Sequence, residues 1–381
     1  MTALEDLALR EMAPVHAGTY LNHAASSPLP RRSAEALRSY LDDRQRLVHL
    51  YQAGRQDYDP STLRAGLAAL LGVPAHAVAL VPTTTDGISG ILNGIDWRPG
   101  DNLVVPADEF PGVLYAALHV ARRGVEVRLV PVAGHLEPDR IEQSVDPRTR
   151  AVVASHVHWQ TGHRLDLADL GRICRRVGAL AIVDAIQSLG QLPVQPLAAG
   201  IDVLVAGSYK WLMGIPGTAV LYGSERAVAE IVPDRAGWKS MRTSPDAAPS
   251  FDWNPDATRY HIGGACDPAL IALDQSVALL LELGAGAIAD KLLGLQDRLI
   301  AGLPERLRLN SSLKPADRSG IVSITSGSRA LDDALVAGLA AASVVVARRG
   351  DGIRVAPHWH NTPADIDRLL DVVRGLLAAS R

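Results

Sequence analysis

Ile182-Val183-Asp184-Ala185-Ile186-Gln187 and Val205-Ala206-Gly207-Ser208-Tyr209-Lys210-Trp211 decide how this chain is read. Each is an apolar run that stops on polar groups. That is the pattern of a strand buried on both faces whose carboxyl end opens toward a ligand. A lysine after a strand is most often a solvated surface residue. Here it follows an acid placed the same way after the preceding strand, and Gly214 and Gly217 come next, where backbone can approach closely.

Working outward, short runs rich in Val, Leu and Ile alternate with amphipathic stretches from about 60 to 223. Strands are expected at 78–82, 103–106, 125–130, 151–156, 181–184, 203–206 and 219–222. Helices are expected at 63–71, 87–94, 112–123, 139–145 and 166–177. Gly72, Gly124 and Gly178 stand where a left-handed residue closes a helix. The alternation implies an α/β fold with a mainly parallel seven-stranded sheet covered on both faces. Beyond 225 the pattern changes: 234–255 reads as irregular, and helical periodicity runs over 269–303. Strands follow at 320–325 and 344–348, and a last helix begins at Thr362-Pro363-Ala364-Asp365 with a cap, a proline and an acid in order. The expected division is a large domain over 21–262 and a smaller α/β domain made of 1–20 and 263–381.

The chain has 381 residues and a net charge of −3, with Lys+Arg 38 against Asp+Glu 41. No basic tract points to nucleic acid. The opening residues lack a signal-peptide pattern, and no apolar run reaches the roughly 20 residues that span a bilayer. A cytoplasmic protein is the expectation. Cys174 and Cys266 are the two cysteines, too few for a disulfide framework, and nothing in the spacing suggests a metal site. Lysine occurs only at 210, 239, 291 and 314.

A lysine and an aspartate at the ends of two successive strands fit a pyridoxal 5′-phosphate (PLP) site: the amine makes an imine and the carboxylate faces the pyridine nitrogen. The chain also resembles the class V aminotransferases, a branch of the fold-type I PLP enzymes that includes cysteine desulfurases, kynureninase and isopenicillin N epimerase. The resemblance rests on several pieces in family order. They are Tyr20-Leu21-Asn22-His23-Ala24-Ala25, Val81-Pro82-Thr83-Thr84-Thr85-Asp86, Asp108-Glu109-Phe110-Pro111, Ser155-His156-Val157 with Thr161-Gly162, the Asp184/Lys210 pair, and Gly352-Ile353-Arg354-Val355-Ala356-Pro357-His358 with Asn361-Thr362.

The resemblance implies roles. Lys210 is the catalytic lysine that holds PLP, and Asp184 stays ionised opposite the pyridinium. Phe110 stacks on the ring where many relatives use His, and Gln187 bonds the phenolic oxygen. Thr84, Thr85 and Tyr209 hold the phosphate. For the two threonines, helix capping is the competing reading, since it uses the same residue types. Arg354 grips the substrate carboxylate, with Asn22 and Trp159 also facing substrate; Trp159 stands where many relatives have Asn. A homodimer is implied, with the neighbouring subunit reaching the phosphate. The residues in that position, Gly263-Gly264-Ala265, lack a hydroxyl, so Gly264 would offer only its N–H.

The expected activity is cleavage at Cα or Cβ of an amino acid, first a cysteine S-conjugate or other β-substituted substrate. Racemisation or epimerisation, and then transamination, are the alternatives, with a non-catalytic PLP-fold protein behind them. No cysteine lies in 341–352, where a desulfurase carries its sulfur-attacking thiol. The absence of G-x-S-x-G and G-x-G-x-x-G patterns speaks against a serine hydrolase and a dinucleotide-dependent oxidoreductase.

Overall fold

The computed structural model describes residues 3–12, 18–48, 58–132, 135–242 and 250–379. Of the irregular stretch expected at 234–255, residues 243–249 lie outside these. Buried strands alternate their side chains between two apolar layers, as the two-residue period requires. Val152, Ala154, Ala181, Val183, Leu204 and Ala206 enter one core cluster. Ala151, Val153, Leu180, Ile182, Val203 and Val205 enter the other. The sheet is therefore covered on both faces.

Its seven strands run in the order Val78–Val81, Ala219–Gly223, Val203–Gly207, Leu180–Asp184, Thr149–Ser155, Asn102–Pro106, Glu126–Val130. Ala219–Gly223 is antiparallel to both neighbours, and the other pairings are parallel. This is the mainly parallel seven-stranded sheet that the alternating pattern implied. The register sets Asp184 beside Val205, so the ends carrying Asp184 and Lys210 lie side by side.

Gly72, Gly124 and Gly178 adopt φ of 65°, 78° and 76°, the left-handed closures expected of them. The helix expected at 87–94 begins earlier, as Thr84–Gly94, because Thr83 caps it: the Thr83 side chain accepts from the Asp86 N–H. The periodicity of 269–303 is two helices, Asp267–Leu283 and Ala285–Ala301, bent by 78° at Gly284. Gly284 has φ of 80°, which breaks the i→i−4 ladder. No single helix among the described residues is long and apolar enough to cross a membrane.

The strand expected at 344–348 is divided. Val344–Val345 pairs in parallel with Thr19–Tyr20, while Ala347–Arg349 joins a four-stranded antiparallel sheet with Gly352–Val355, Val322–Thr325 and Arg308–Leu309. A third core cluster, including Val322, Ile324, Ile353, Val355 and Leu370, covers that sheet. The helix Arg31–Gln45 was not anticipated. Ser33 is its one buried residue, and that hydroxyl bonds the Ala272 carbonyl at 2.9 Å, so no apolar stripe announces it.

Candidate active site

Past the strand Val203–Gly207 the chain turns tightly. The Gly214 N–H donates to the Ser208 carbonyl at 2.8 Å, and the Ser208 hydroxyl donates to the Ile215 carbonyl at 2.5 Å. The turn fixes Lys210, 7% exposed, in the site. Its Nζ lies 5.5 Å from the centre of the Phe110 ring and 5.9 Å from that of Tyr209. Asp184, 4% exposed, accepts the Ile186 N–H on Oδ1 at 2.8 Å.

Burial dominates the electrostatics. It pushes the Asp184 carboxyl up to about 7; the Glu109 carboxylate adds to this, while the Ile186 N–H and Lys210 oppose it. Burial pulls Lys210 down to about 8, with Arg354 and Arg349 acting in the same sense and Asp184 against it. Each group is therefore brought to titrate near physiological pH, with Lys210 still largely an ammonium at pH 7.

The threonines separate into distinct roles. Thr83 caps the helix, so capping does not occupy Thr84. The Thr84 hydroxyl is buried without a hydrogen-bond partner among the described residues. It faces Gly207, where an added Cβ would stand 3.0 Å from it. Thr85 is exposed, and Gly112 packs against its hydroxyl without room for a Cβ. The helix Pro111–Val120 thus starts beside the first turn of Thr84–Gly94. The leading N–H groups of that turn lack intrahelical acceptors and favour an anion.

Phe110 precedes Pro111 and is 40% exposed. Its ring meets Trp159 edge-on, 5.7 Å between centres, and the Trp159 indole N–H donates to the Asp108 carbonyl at 3.2 Å. Glu109 holds this corner. Its carboxylate accepts the Ser155 N–H at 2.6 Å and the Ser155 hydroxyl at 2.5 Å, and it is raised by burial. In the sequence Glu109 stands out only as part of a motif, an acid between a strand end and a helix start.

Gln187 is more committed than expected. Its Nε2 donates to the Ala24 carbonyl at 3.0 Å, and its Oε1 accepts the Trp211 indole N–H at 2.8 Å. One Nε2 proton remains for a ligand oxygen. Tyr209 is half-buried beside the lysine. Arg354, 2% exposed, donates through Nη1 to the Trp159 carbonyl at 2.7 Å and through Nη2 to Asn22 Oδ1 at 3.4 Å. Its Nε has no partner among the described residues. Arginine, Trp159 and Asn22 therefore meet as expected. Gly264 does not join them: it is exposed and lines a separate cavity of ≈330 Å³ with Gly217, Lys239 and His261.

These residues fit PLP. The orphaned Thr84 hydroxyl suits a phosphate, the half-exposed Phe110 ring suits a flat heterocycle, and Asp184 is a buried acid awaiting a cation. Lys210, drawn toward its neutral form, suits an aldehyde.

The profile of the family described as "Aminotransferase class-V" matches residues 19–369. An uncharacterised aminotransferase of Bacillus subtilis is 25% identical, covering 93% of each chain. A probable cysteine desulfurase of Methanothermobacter thermautotrophicus is 26% identical, covering 92% of each. Among solved structures, the cystine C–S lyase C-DES with its reaction product cysteine persulfide superposes with a TM-score of 0.84. It shares 24% identity and covers 95% of this chain and 99% of that one, which speaks to the fold.

Proposed function

Because this chain belongs to the class V aminotransferase family of PLP enzymes, we propose that it cleaves the Cβ–heteroatom bond of a β-substituted amino acid, first a cysteine S-conjugate. The observation that carries the reading is a buried arginine with a spare donor, set beside the lysine site, where no thiol is placed to attack sulfur. Cys174 is buried in the helix Leu167–Val177, its thiol pushed up to about 12 by burial. Cys266 is exposed at the start of the helix Asp267–Leu283. The relation to a cystine C–S lyase in fold supports the same direction.

Bound PLP supplies an electron sink for negative charge developing at the substrate α-carbon. Asp184 would hold the ring nitrogen protonated. Thr84, Tyr209 and the first turn of Thr84–Gly94 would take the phosphate, Thr85 would border it, and Phe110 would cover the ring. Arg354 would fix the α-carboxylate, using Nε and its unused protons, while Trp159 and Asn22 hold the guanidinium in place. Lys210 Nζ would take the α-proton. The Cβ–S electron pair then leaves with sulfur, which is protonated to a thiol. Released aminoacrylate takes up water to give pyruvate and ammonium, so one zwitterionic substrate and one water yield thiol, pyruvate and ammonium. Gly264 is proposed to reach the phosphate of a second copy in a homodimer.

Turnover of S-substituted cysteines in heavy water tests the proposal. Thiol and pyruvate in equal amounts are expected. Return of the amino acid with inverted configuration and deuterium at Cα would establish epimerisation instead. Stoichiometric conversion of the cofactor to its pyridoxamine form, reversed by a keto acid, would establish transamination.

A further inference from the structure

We infer that the site takes amino acids whose side chain ends in a second carboxylate, held by Arg349 while Arg354 holds the α-carboxylate. This rests on the amino-acid-cleaving reading of the same site and narrows its substrate.

The hairpin that carries both arginines sets their direction. Ala347 pairs with Arg354, Arg348 with Ile353 and Arg349 with Gly352, antiparallel. Directly opposed residues share a face of the sheet and neighbours along a strand alternate, so Arg349 and Arg354 project to one side and Arg348 to the other. Arg348 is neutralised there: its Nε lies 3.1 Å from Asp333 Oδ1. Arg349 has no such partner. Its one described hydrogen bond goes to the Arg348 carbonyl at 2.8 Å, and it forms no ion pair among the described residues.

The hairpin tip also closes on the site. Gly350, with φ of 52°, packs against Gln160, where an added Cβ would approach Oε1 to 2.7 Å. Gln160 follows Trp159, whose carbonyl holds Arg354. The positive charge of Arg349 is felt at Lys210 and at Arg354, disfavouring the charged form of each. Three cations thus converge on one side of the site, and Asp184, whose charge favours the ammonium form of Lys210, is set toward the cofactor ring. Arg348, by contrast, faces an acid. Arg354 is buried and Arg349 exposed. That order suits a ligand whose reacting end is inside and whose second anion is at the mouth. Arginine can grip a carboxylate by two parallel bonds, which sets orientation as well as charge.

Inert probes test this without turnover. Succinate, glutarate and adipate are compared with their monoamides, by calorimetry on the PLP-loaded protein, for the unmodified chain, Arg349→Ala and Arg349→Lys. At least one diacid should bind tenfold or more tighter than its monoamide. Arg349→Ala should bring that ratio within twofold, and Arg349→Lys should leave it intermediate. Equal affinities for every pair in the unmodified protein, or a ratio unchanged in Arg349→Ala, would overturn the inference. Cleavage of S-(2-carboxyethyl)-L-cysteine and its amide is then compared. A diacid preference without cleavage of either would sink the elimination reading and leave the second carboxylate site standing. Cleavage of both at equal kcat/KM, with no diacid preference, would do the reverse.

Discussion

Replacing Asp184 with Asn should stabilise the cofactor-free protein and weaken the PLP-bound one. The carboxyl has an ordinary value of 3.8 and a buried one of about 7. At about 1.4 kcal/mol per pH unit, keeping it ionised costs the cofactor-free fold about 4 kcal/mol. Between 3.8 and 7 the unfolded chain binds fewer protons at this position than the folded chain. This group's contribution to stability therefore falls as pH rises through that window and levels off above about 7. Asn carries no such penalty, and its oxygen can still accept the Ile186 N–H. The attraction of Lys210 is already contained in the value of about 7, because it opposes the rise. The expected gain is about 4 kcal/mol at pH 8 and about 2 kcal/mol at pH 5, from the same figure of about 1.4 kcal/mol per pH unit between 3.8 and about 7. Urea unfolding of PLP-stripped proteins at both pH values reads it. A difference that does not change with pH, or an Asn variant less stable at pH 8, would refute the desolvation argument. With PLP restored the order should invert, because the ring nitrogen loses its counter-charge.

Three further outcomes follow from the same geometry. Arg354→Ala should leave the visible spectrum of the bound cofactor unchanged and weaken amino-acid binding by about 2–4 kcal/mol, the size of one charged two-point contact; unchanged affinity in a spectral titration would remove Arg354 from the site. The rate at which stripped protein takes up PLP should rise with pH around a midpoint of about 8, where Lys210 loses its proton; a midpoint above 10 would show that burial does not lower it. Phe110→Ala should weaken PLP retention by about 1 kcal/mol, an aromatic contact beyond simple area burial; equilibrium dialysis showing equal retention would place Phe110 off the ring.

Much of the central sheet was legible because buried parallel strands are written as unbroken apolar runs. The Asp184/Lys210 pair was legible because each polar group ends such a run. Elements that rest on less apolar contrast were harder to see. The polar helix Arg31–Gln45 offers only Ser33 to the interior, and the break at Gly284 interrupts a periodicity that continues on both sides. In the site, residue type alone does not say whether Thr84 and Thr85 cap the helix or hold the phosphate, and the cap bond from Asp86 N–H to Thr83 frees Thr84 from capping. Adjacent Arg348 and Arg349 are equally alike on paper. The strand register sends one to Asp333 and the other to the face that carries Arg354. Glu109 was missed as a site residue because its partner Ser155 is distant in sequence and meets it only through the fold.

The most direct test of the account is where the cofactor is attached. Borohydride reduction of the PLP-loaded protein, followed by proteolysis and mass mapping, should place one pyridoxyl group on the peptide containing Lys210. The chain offers only three other lysines, Lys239, Lys291 and Lys314. A label on any of those in place of Lys210, or no label on protein that retains PLP, would contradict the site described.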